Sequence, residues 1–277
     1  MTMRTCLIPA VALIASISAP VFAADLNEII QAPMEEAYVP VEIGSGWYIR
    51  GDLSFDLTTS SSGTYRTYDG VSYSTNDYDR FELPWTGDVA VGMGYQFNSW
   101  LRADATVGYW QRNVNGTDTS PTPCLAFAGA VGCRSEDSSR IRAWELMANG
   151  YADLGTYIGI TPYIGAGAGF AHFDYNDLVN RSFCTDAAGA DIAGCGFTAT
   201  HSGVGSWRFA WALMAGASVD LTKNTKLDLG YRYARYGGGD AFGWDAATAA
   251  LGATGVQGKD NGFNQHQIKA GIRYALW

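Results

Sequence analysis

The sequence predicts an all-β fold, an eight-stranded antiparallel up-and-down transmembrane β-barrel. Three observations predict it. Eight segments alternate apolar and polar residues with a period of two, as half-buried strands do. Their connections alternate between short and long. The apolar face is almost uncharged in all eight segments, and this combination is typical of a barrel in the bacterial outer membrane.

The composition favours many strands and turns over helices that cross a membrane. The 277 residues include 34 glycines, 13% aromatic residues and only 16% charged residues, whereas soluble domains average about 25% charged. After the N-terminal segment, no stretch has 18 consecutive apolar residues, which excludes a helical membrane protein. The net charge of −9 argues against nucleic acid as a partner.

The N-terminus predicts export. Arg4 precedes a short apolar run, and the small residues Val21 and Ala23 follow it, as in a secretory signal peptide. The apolar run is too short for a membrane anchor. We therefore predict a signal peptide at 1–23, cleaved after Ala23, and an acidic periplasmic lead-in at 24–45.

The barrel is predicted to occupy residues 46–277. In its first strand Trp47, Ile49 and Leu53 share one face, and Arg50 and Asp52 share the other. The long links are rich in Ser, Thr, Gly, Asn and Asp and are predicted to be strand-poor loops outside the cell. They lie near 58–80, 111–139, 174–206 and 237–262.

Aromatic residues near the strand ends fit the interfacial girdle of such a barrel. They are Trp47, Trp85, Phe97, Trp100, Tyr109, Trp110, Trp144, Trp207 and Tyr233. The alternative is a soluble sandwich or lipocalin-like barrel, in which aromatics are core residues. The polar set is too small and too balanced in charge to coat the exterior of a soluble barrel, so the membrane barrel is favoured.

The inward face carries a charge network in which the two signs balance. Its predicted members are Arg50, Asp52, Asp56, Asp88, Arg102, Asp104, Glu145, Arg208, Asp228, Arg232, Lys269 and Arg273. Eight strands leave an interior only wide enough for side chains to fill. The sequence allows either a narrow polar pore or a solid core of paired charges, and the second is favoured.

Four cysteines remain after signal cleavage: Cys124, Cys133, Cys184 and Cys195. An even number in an exported chain predicts disulfides. Three pairings are open, and closure within each segment, Cys124–Cys133 and Cys184–Cys195, is favoured. The close spacing of zinc ligands is absent, so no metal is expected.

Two other motifs could suggest ligand binding or catalysis. The glycines at 165–169 resemble a phosphate loop in composition, but they alternate as a strand does and do not open a helix. His201 and Ser202 are the only His/Ser neighbours, and a lipid hydrolase would need an oriented base beside the serine. Neither reading is favoured, and no catalytic residue or cofactor is predicted.

Four stretches carry a resemblance to a known family: "GWYIRGDLSFD", "TPYIGAGAGF", "KLDLGYRYARYG" and "HQIKAGIRYALW". The chain resembles the small outer-membrane barrels of the opacity-protein/OmpA-like superfamily. It looks most like the major surface proteins of alphaproteobacteria such as rhizobia and brucellae. This resemblance implies a structural or surface-interaction protein, often described as porin-like, without catalytic residues.

The last strand also resembles the signal read by the bacterial barrel-assembly machinery. Tyr274 and Leu276 hold the outward register, and Trp277 lies one residue beyond it. The implied partners are outer-membrane lipid, lipopolysaccharide, the assembly machinery and an unidentified external ligand. We expect a monomer in a Gram-negative outer membrane that contributes to envelope integrity and surface contact. The alternatives are a small diffusion channel and, third, a lipid hydrolase.

Overall fold

The computed structural model describes residues 46–82 and 86–277. The predicted signal peptide at 1–23, the lead-in at 24–45 and Trp85 lie outside these residues. In chain order the elements are β1 (Trp47–Tyr68), β2 (Tyr73–Asp77), β3 (Arg80–Glu82), β4 (Gly87–Gln96), β5 (Leu101–Ser120), β6 (Gly132–Asp153), β7 (Ile160–Tyr175), β8 (Leu178–Thr185), β9 (Asp191–His201), β10 (Gly205–Asp220), β11 (Thr225–Tyr236), β12 (Gly239–Phe242), α1 (Ala246–Ala250) and β13 (Gly258–Ala275). Within the described ranges, no helix has the length and apolar character needed to cross a membrane.

Eight strands form a closed antiparallel ring, as predicted. The order around the ring is β1, β4, β5, β6, β7, β10, β11 and β13. The last strand pairs with the first, with Ile49 opposite Tyr274 and Leu53 opposite Ala270. Closure satisfies the backbone N–H and C=O groups of both terminal strands, which would otherwise face lipid unpaired.

The two faces of the ring differ in polarity as the alternation requires. In β6, Trp144 and Leu146 point outward with 56% and 54% of their surface exposed, while Glu145 and Met147 are buried inside. The same pattern holds around the ring for Leu53, Val91, Met93, Val107, Ile164, Phe170, Trp207, Phe209, Leu213, Leu229, Ile268 and Ile272, which are all exposed. A continuous apolar band of this kind is the lipid-facing surface of a membrane barrel.

The assignment of Trp110 to the aromatic girdle is wrong. Its side chain is only 2% exposed and lies inside the barrel, where its indole Nε1 donates to Glu145 Oε1 at 2.8 Å. Tyr109 occupies the outer register instead, because successive residues of a strand point to opposite faces. Trp47, Phe97, Trp100, Trp144 and Trp207 are exposed at the outer surface.

The expectation that the long external links are strand-poor is also wrong. β5 and β6 pair without interruption from Leu101–Ala152 to Ser120–Cys133, and β8 and β9 add to the free edge of β6. We call this part of the molecule the extension. It consists of the outer ends of β1, β5 and β6 together with β2, β3, β8, β9, β12 and α1. Outside the membrane both strand faces can be polar, so backbone pairing persists where the alternating pattern no longer marks a strand.

The glycines at 165–169 are strand residues of β7 and not a phosphate loop. A Cβ atom at Gly165 would overlap the ring of Tyr151, and one at Gly167 would overlap the amide of Asn149. Both neighbours are large side chains that point into the barrel. These glycines therefore leave room for the interior side chains of the adjacent strand.

Candidate functional site

The middle of the barrel interior is a network of ion pairs centred on Arg50. Its guanidinium donates to both carboxylate oxygens of Asp52 at 2.9 Å, to Asp104 at 2.6 Å and to the hydroxyl of Tyr151 at 3.0 Å. Lys269 lies 3.1 Å from Asp52. Buried charges are tolerated when each is paired and hydrogen-bonded in this way.

The periplasmic end of the interior has two further ion pairs. Arg102 donates to Asp153 at 3.1 Å, and Arg273 lies 3.2 Å from Asp228. The Arg102 guanidinium also stacks over the ring of Tyr151, 4.1 Å from its centroid. Tyrosine faces stabilise such buried cations.

A second network lies further out along the barrel axis. Arg232 donates to Glu145 at 2.9 Å and to the side-chain oxygen of Gln267 at 2.7 Å. Gln267 in turn donates to Asp56 at 2.9 Å. Asp56 forms an ion pair with Arg112, and both side chains are completely buried.

An aromatic plug closes the outer half of the interior. Phe173 lies at its centre, with ring centroids 5.5 Å from Trp110, 5.5 Å from Tyr236 and 5.4 Å from Phe263. Each of the four rings is at most 2% exposed. Beside them Arg208 contacts both oxygens of Asp260 at 2.6 Å.

The barrel is hollow at its two ends and filled between them. A cavity of about 320 Å³ opens at the periplasmic end, and one of about 680 Å³ lies in the extension. The cavity found in the interior between them, beside Asp88, Trp110 and Glu145, measures only about 30 Å³. Such a volume holds one or two water molecules at most. Paired charges and packed aromatic rings occupy the described interior between the two end cavities.

All twelve residues predicted for the charge network have side chains on the inward face. Eleven of them take part in the contacts above, and Asp88 lies 3.7 Å from Arg112. Four further partners in that network were not predicted from the sequence: Arg112, Asp153, Asp260 and Gln267. Arg112 lay in a segment taken for a loop, and Asp260 lay in another. Continuing the alternation of β5 beyond Trp110 would have placed Arg112 on the inward face.

The extension encloses the larger cavity, which we call the outer cavity. One wall is the sheet of β5, β6, β8 and β9, and the other is formed by β1, the segment around Tyr78 and helix α1. Asp118, Asp137, Asp245 and His201 line it. Burial raises the pKa of Asp137 to about 6 and lowers the pKa of His201.

Two disulfides clip the extension. One joins Cys124 and Cys133 across the β5–β6 connection, and the other joins Cys184 and Cys195 on β8 and β9. Cys133 and Cys184 are directly opposite each other in the β6–β8 ladder. The two clips therefore meet side by side at the outer end of one continuous sheet.

His201 and Ser202 do not form the arrangement that a hydrolase needs. His201 is 6% exposed, and within the described chain its Nδ1 has no hydrogen-bond partner. Asp245 is the acidic group that interacts electrostatically with His201, and its carboxylate accepts from the backbone N–H groups of Ala247 and Thr248. A hydrolytic base is held between a nucleophile and an orienting acid.

The C-terminal residues complete the periplasmic end of the ring. Tyr274 is outward and opposite both Ile49 and Thr225. The backbone N–H of Leu276 donates to the carbonyl of Trp47 at 3.0 Å. The carbonyl of Trp277 accepts from the side-chain amide of Asn224. The ladder thus extends to Leu276, one residue from the chain end.

Residues 10–275 match the family model described as outer membrane protein beta-barrel domain. The chain belongs to this family. It lies in the outer membrane of Gram-negative bacteria. An uncharacterized protein of Brucella suis biovar 1 (strain 1330) is 39% identical over 95% of this chain and 94% of its own length.

More distant relatives also align. A putative adhesin of Rickettsia bellii (strain OSU 85-389) is 26% identical over 82% of this chain and 87% of that protein. Outer membrane protein PagN of Salmonella typhimurium is 30% identical over 62% of this chain and 70% of that protein.

Proposed function

We propose that this barrel is a surface-interaction protein whose contacts are made by the extension and not by a channel. The observation that carries this proposal is the combination of a filled interior with an ordered, disulfide-clipped extension. A barrel that conducted solutes would need a continuous aqueous path, and the ion-pair networks and the aromatic plug occupy that path. The same paired interior contributes to envelope integrity by making the barrel a rigid, closed element of the membrane.

The tips of the extension supply an apolar contact surface. Val71 is 90% exposed and Leu251 is 65% exposed. Leu125, Phe127 and Val131, in the clipped β5–β6 connection, are 42%, 46% and 49% exposed. Exposed apolar residues at these solvent-facing tips offer surface for contact with other molecules. The name of the Rickettsia bellii relative, a putative adhesin, supports the same kind of role.

We propose the other partners of the protein from the part of the barrel that each would contact. Membrane lipid covers the apolar band, lipopolysaccharide surrounds the base of the extension, and the assembly machinery engages the last strand. We propose that the barrel acts as a monomer, since the ring closes within one chain and leaves no barrel strand edge unpaired.

Cell attachment tests the proposal. The protein is displayed on a laboratory Gram-negative strain, and attachment to sister cells and to cultured animal cells is counted. We expect a several-fold gain over cells without it. The triple variant Val71→Ser/Phe127→Ser/Leu251→Ser should lose that gain at equal surface level.

A matched control changes exposed apolar residues at the opposite end, Leu154→Ser and Ile158→Ser in the β6–β7 turn. This control should keep the attachment. Absence of any gain with the unmodified protein would refute the proposal. Planar-bilayer recordings address the channel alternative separately, and steady, reproducible openings would favour it.

A further inference from the structure

The outer cavity has the size of a site for a small molecule. Its volume of about 680 Å³ lies within the range of about 300–1,000 Å³ typical of ligand pockets. It is separate from the apolar tips that carry the proposed surface contacts. Its lining is mixed: Asp118, Asp137 and two tyrosines lie at one end, and His201 with Asp245 lies at the other. Apolar side chains line the space between.

Within the described residues, neither Asp118 nor Asp137 forms an ion pair with a lysine or arginine, unlike the carboxylates of the barrel interior. Asp137 is 8% exposed and accepts from the neutral amide of Asn180 at 2.7 Å. Asp118 accepts from the hydroxyl of Tyr65. Among the described residues, no lysine or arginine lines the cavity. Burying a carboxylate without a cation is costly, and a positively charged ligand would offset that cost.

Two tyrosine rings stand beside these carboxylates. Tyr65 and Tyr78 are in contact, with ring centroids 5.1 Å apart, and both line the cavity. Aromatic faces attract ammonium groups. Carboxylates next to tyrosine rings therefore favour an ammonium group over a neutral or anionic one.

His201 provides a separate observation at the far end of the cavity. It is more than nine-tenths buried, it lines the cavity, and its Nδ1 has no hydrogen-bond partner within the described chain. A hydroxyl group can donate or accept, so it would satisfy Nδ1 in either tautomer.

The sheet register sets the distance between the two ends. Asp137 is opposite Asn180, which is opposite Ala199, and His201 lies two residues further along β9. Two strand spacings and two residues of rise correspond to roughly 12 Å between the backbones. Leu178, opposite His201, and Ala199, opposite Asn180, line the space between the ends. The cavity thus suits an extended molecule with an apolar middle.

We propose that the outer cavity binds a small, extended organic cation, with a protonated amine between Asp118, Asp137 and the two tyrosines and a hydroxyl group at His201. This goes beyond the proposed surface contact and does not depend on it. The amine makes charge-assisted hydrogen bonds to the carboxylates. The apolar chain crosses Leu178 and Ala199.

Three probes of equal length test the proposal: 6-aminohexan-1-ol, the neutral 1,6-hexanediol and the anion 6-hydroxyhexanoate. Binding to the folded, detergent-solubilised protein is measured by titration calorimetry at pH 7.5. We expect saturable binding of the amino alcohol alone. Equal binding of the diol, or no binding of the amino alcohol by the folded protein, would overturn the proposal.

Variants locate the site. Asp137→Asn keeps the shape and the contact to Asn180 and should weaken binding about tenfold or more, as loss of a charged partner does. His201→Phe should weaken it less. Asp191→Asn, a surface carboxylate of the extension paired with Arg134, is the matched control and should bind normally. Heat-modifiable gel migration confirms that each variant is folded, and unchanged affinity in folded Asp137→Asn would exclude this site.

Binding should also weaken as the pH falls from 7.5 to 5, because Asp137 then gains a proton. The ionisable groups that face it are Asp118 on β5, Tyr65 on β1 and Tyr78, with His201 and Asp245 across the cavity. Protonation of His201 in acid repels the cation as well. The Asp137→Asn variant should show a flatter pH dependence, and an identical profile in both proteins would contradict the assignment of Asp137.

Discussion

The guanidinium of Arg112 on β5 forms an ion pair with the carboxylate of Asp56 on β1, across the width of the intervening strand β4. Arg112 also lies 3.7 Å from Asp88 on β4. One cation thus holds two buried carboxylates from neighbouring strands. This relationship connects three strands of the ring beside the aromatic plug, where the Arg112 guanidinium lies 4.5 Å from the centroid of the Trp110 ring.

We expect Arg112→Met to destabilise the barrel by about 3–5 kcal/mol, the usual effect of leaving a buried charge without its partner. Urea unfolding in detergent, followed by tryptophan fluorescence, measures this free energy. Arg142→Met is the matched control, because Arg142 pairs with Asp174 at the surface with both side chains about half exposed. Its effect should stay within about 1 kcal/mol. Equal effects would mean that the interior pair is not desolvated.

Leu213→Arg tests the lipid-facing surface. Leu213 lies in the middle of β10 and is 52% exposed on the outer face. An arginine near the bilayer midplane costs about 2–4 kcal/mol. Folding titrations into lipid vesicles should show this loss. Val71→Arg, at an apolar position 90% exposed in the extension, should cost close to nothing, and a similar loss there would contradict the membrane placement.

The disulfides should stabilise the extension and not the ring. We expect the quadruple serine variant of Cys124, Cys133, Cys184 and Cys195 to keep its heat-modifiable fold. The amides of β8 and β9 should then exchange faster with deuterium, because these strands are attached through one edge of β6. The amides between Leu101 and Trp110 should exchange as before. Peptide mapping without reduction tests the pairing, and a Cys133–Cys184 link would contradict it.

Deletion of residues 274–277 should prevent accumulation in the outer membrane. It removes the pairing of Tyr274 with both neighbours and the hydrogen bond from Leu276 to Trp47, and unsatisfied backbone groups in lipid cost several kcal/mol each. Deletion of Trp277 alone leaves this ladder intact and should keep levels near normal. Fractionation with heat-modifiability on a gel measures both. Normal folding of the longer deletion would show that this segment does not close the barrel.

Asp137→Asn should stabilise the extension at neutral pH. The pKa of Asp137, raised to about 6 by burial, lies above the value of about 3.9 expected in the unfolded chain. The charged form therefore destabilises the folded state above pH 6, and this penalty disappears as the pH falls towards 4. The gain at pH 7.5 should reach up to about 3 kcal/mol. Unfolding of wild type and variant at pH 7.5 and 4 measures it, and an equal difference at both pH values would contradict the linkage.

The inward charges were predictable because they follow from the period-two pattern within each strand. The strand order and the closure were predictable from the number of strands and the alternating lengths of their connections. The partners of each inward charge could not be predicted in this way. Arg50 contacts Asp52 on its own strand but also Asp104 on β5, and such contacts depend on the stagger between strands, which no single strand encodes.

The extension and the outer cavity could not be predicted from the sequence, for a different reason. In the membrane, lipid requires one apolar face, so the alternation is strong. Beyond the membrane, water solvates both faces, and residues such as Thr117, Ser135 and Ser182 fit a strand or a loop equally well. Asp137 and His201 come together only through the β6–β8–β9 ladder. The sequence therefore placed His201 correctly in an external segment but without its neighbours.

The length of β6 determines which part of the molecule is most accessible to another cell or to an antibody. Its 22 residues span about 70 Å at the usual rise of a strand, whereas about 9–11 residues cross the hydrocarbon layer. We expect the remainder to stand outside the hydrocarbon layer and to carry its hairpin tips away from the membrane. Immune recognition of the intact bacterium should therefore concentrate on the clipped tips, and changes there can accumulate without disturbing the ion pairs that hold the barrel.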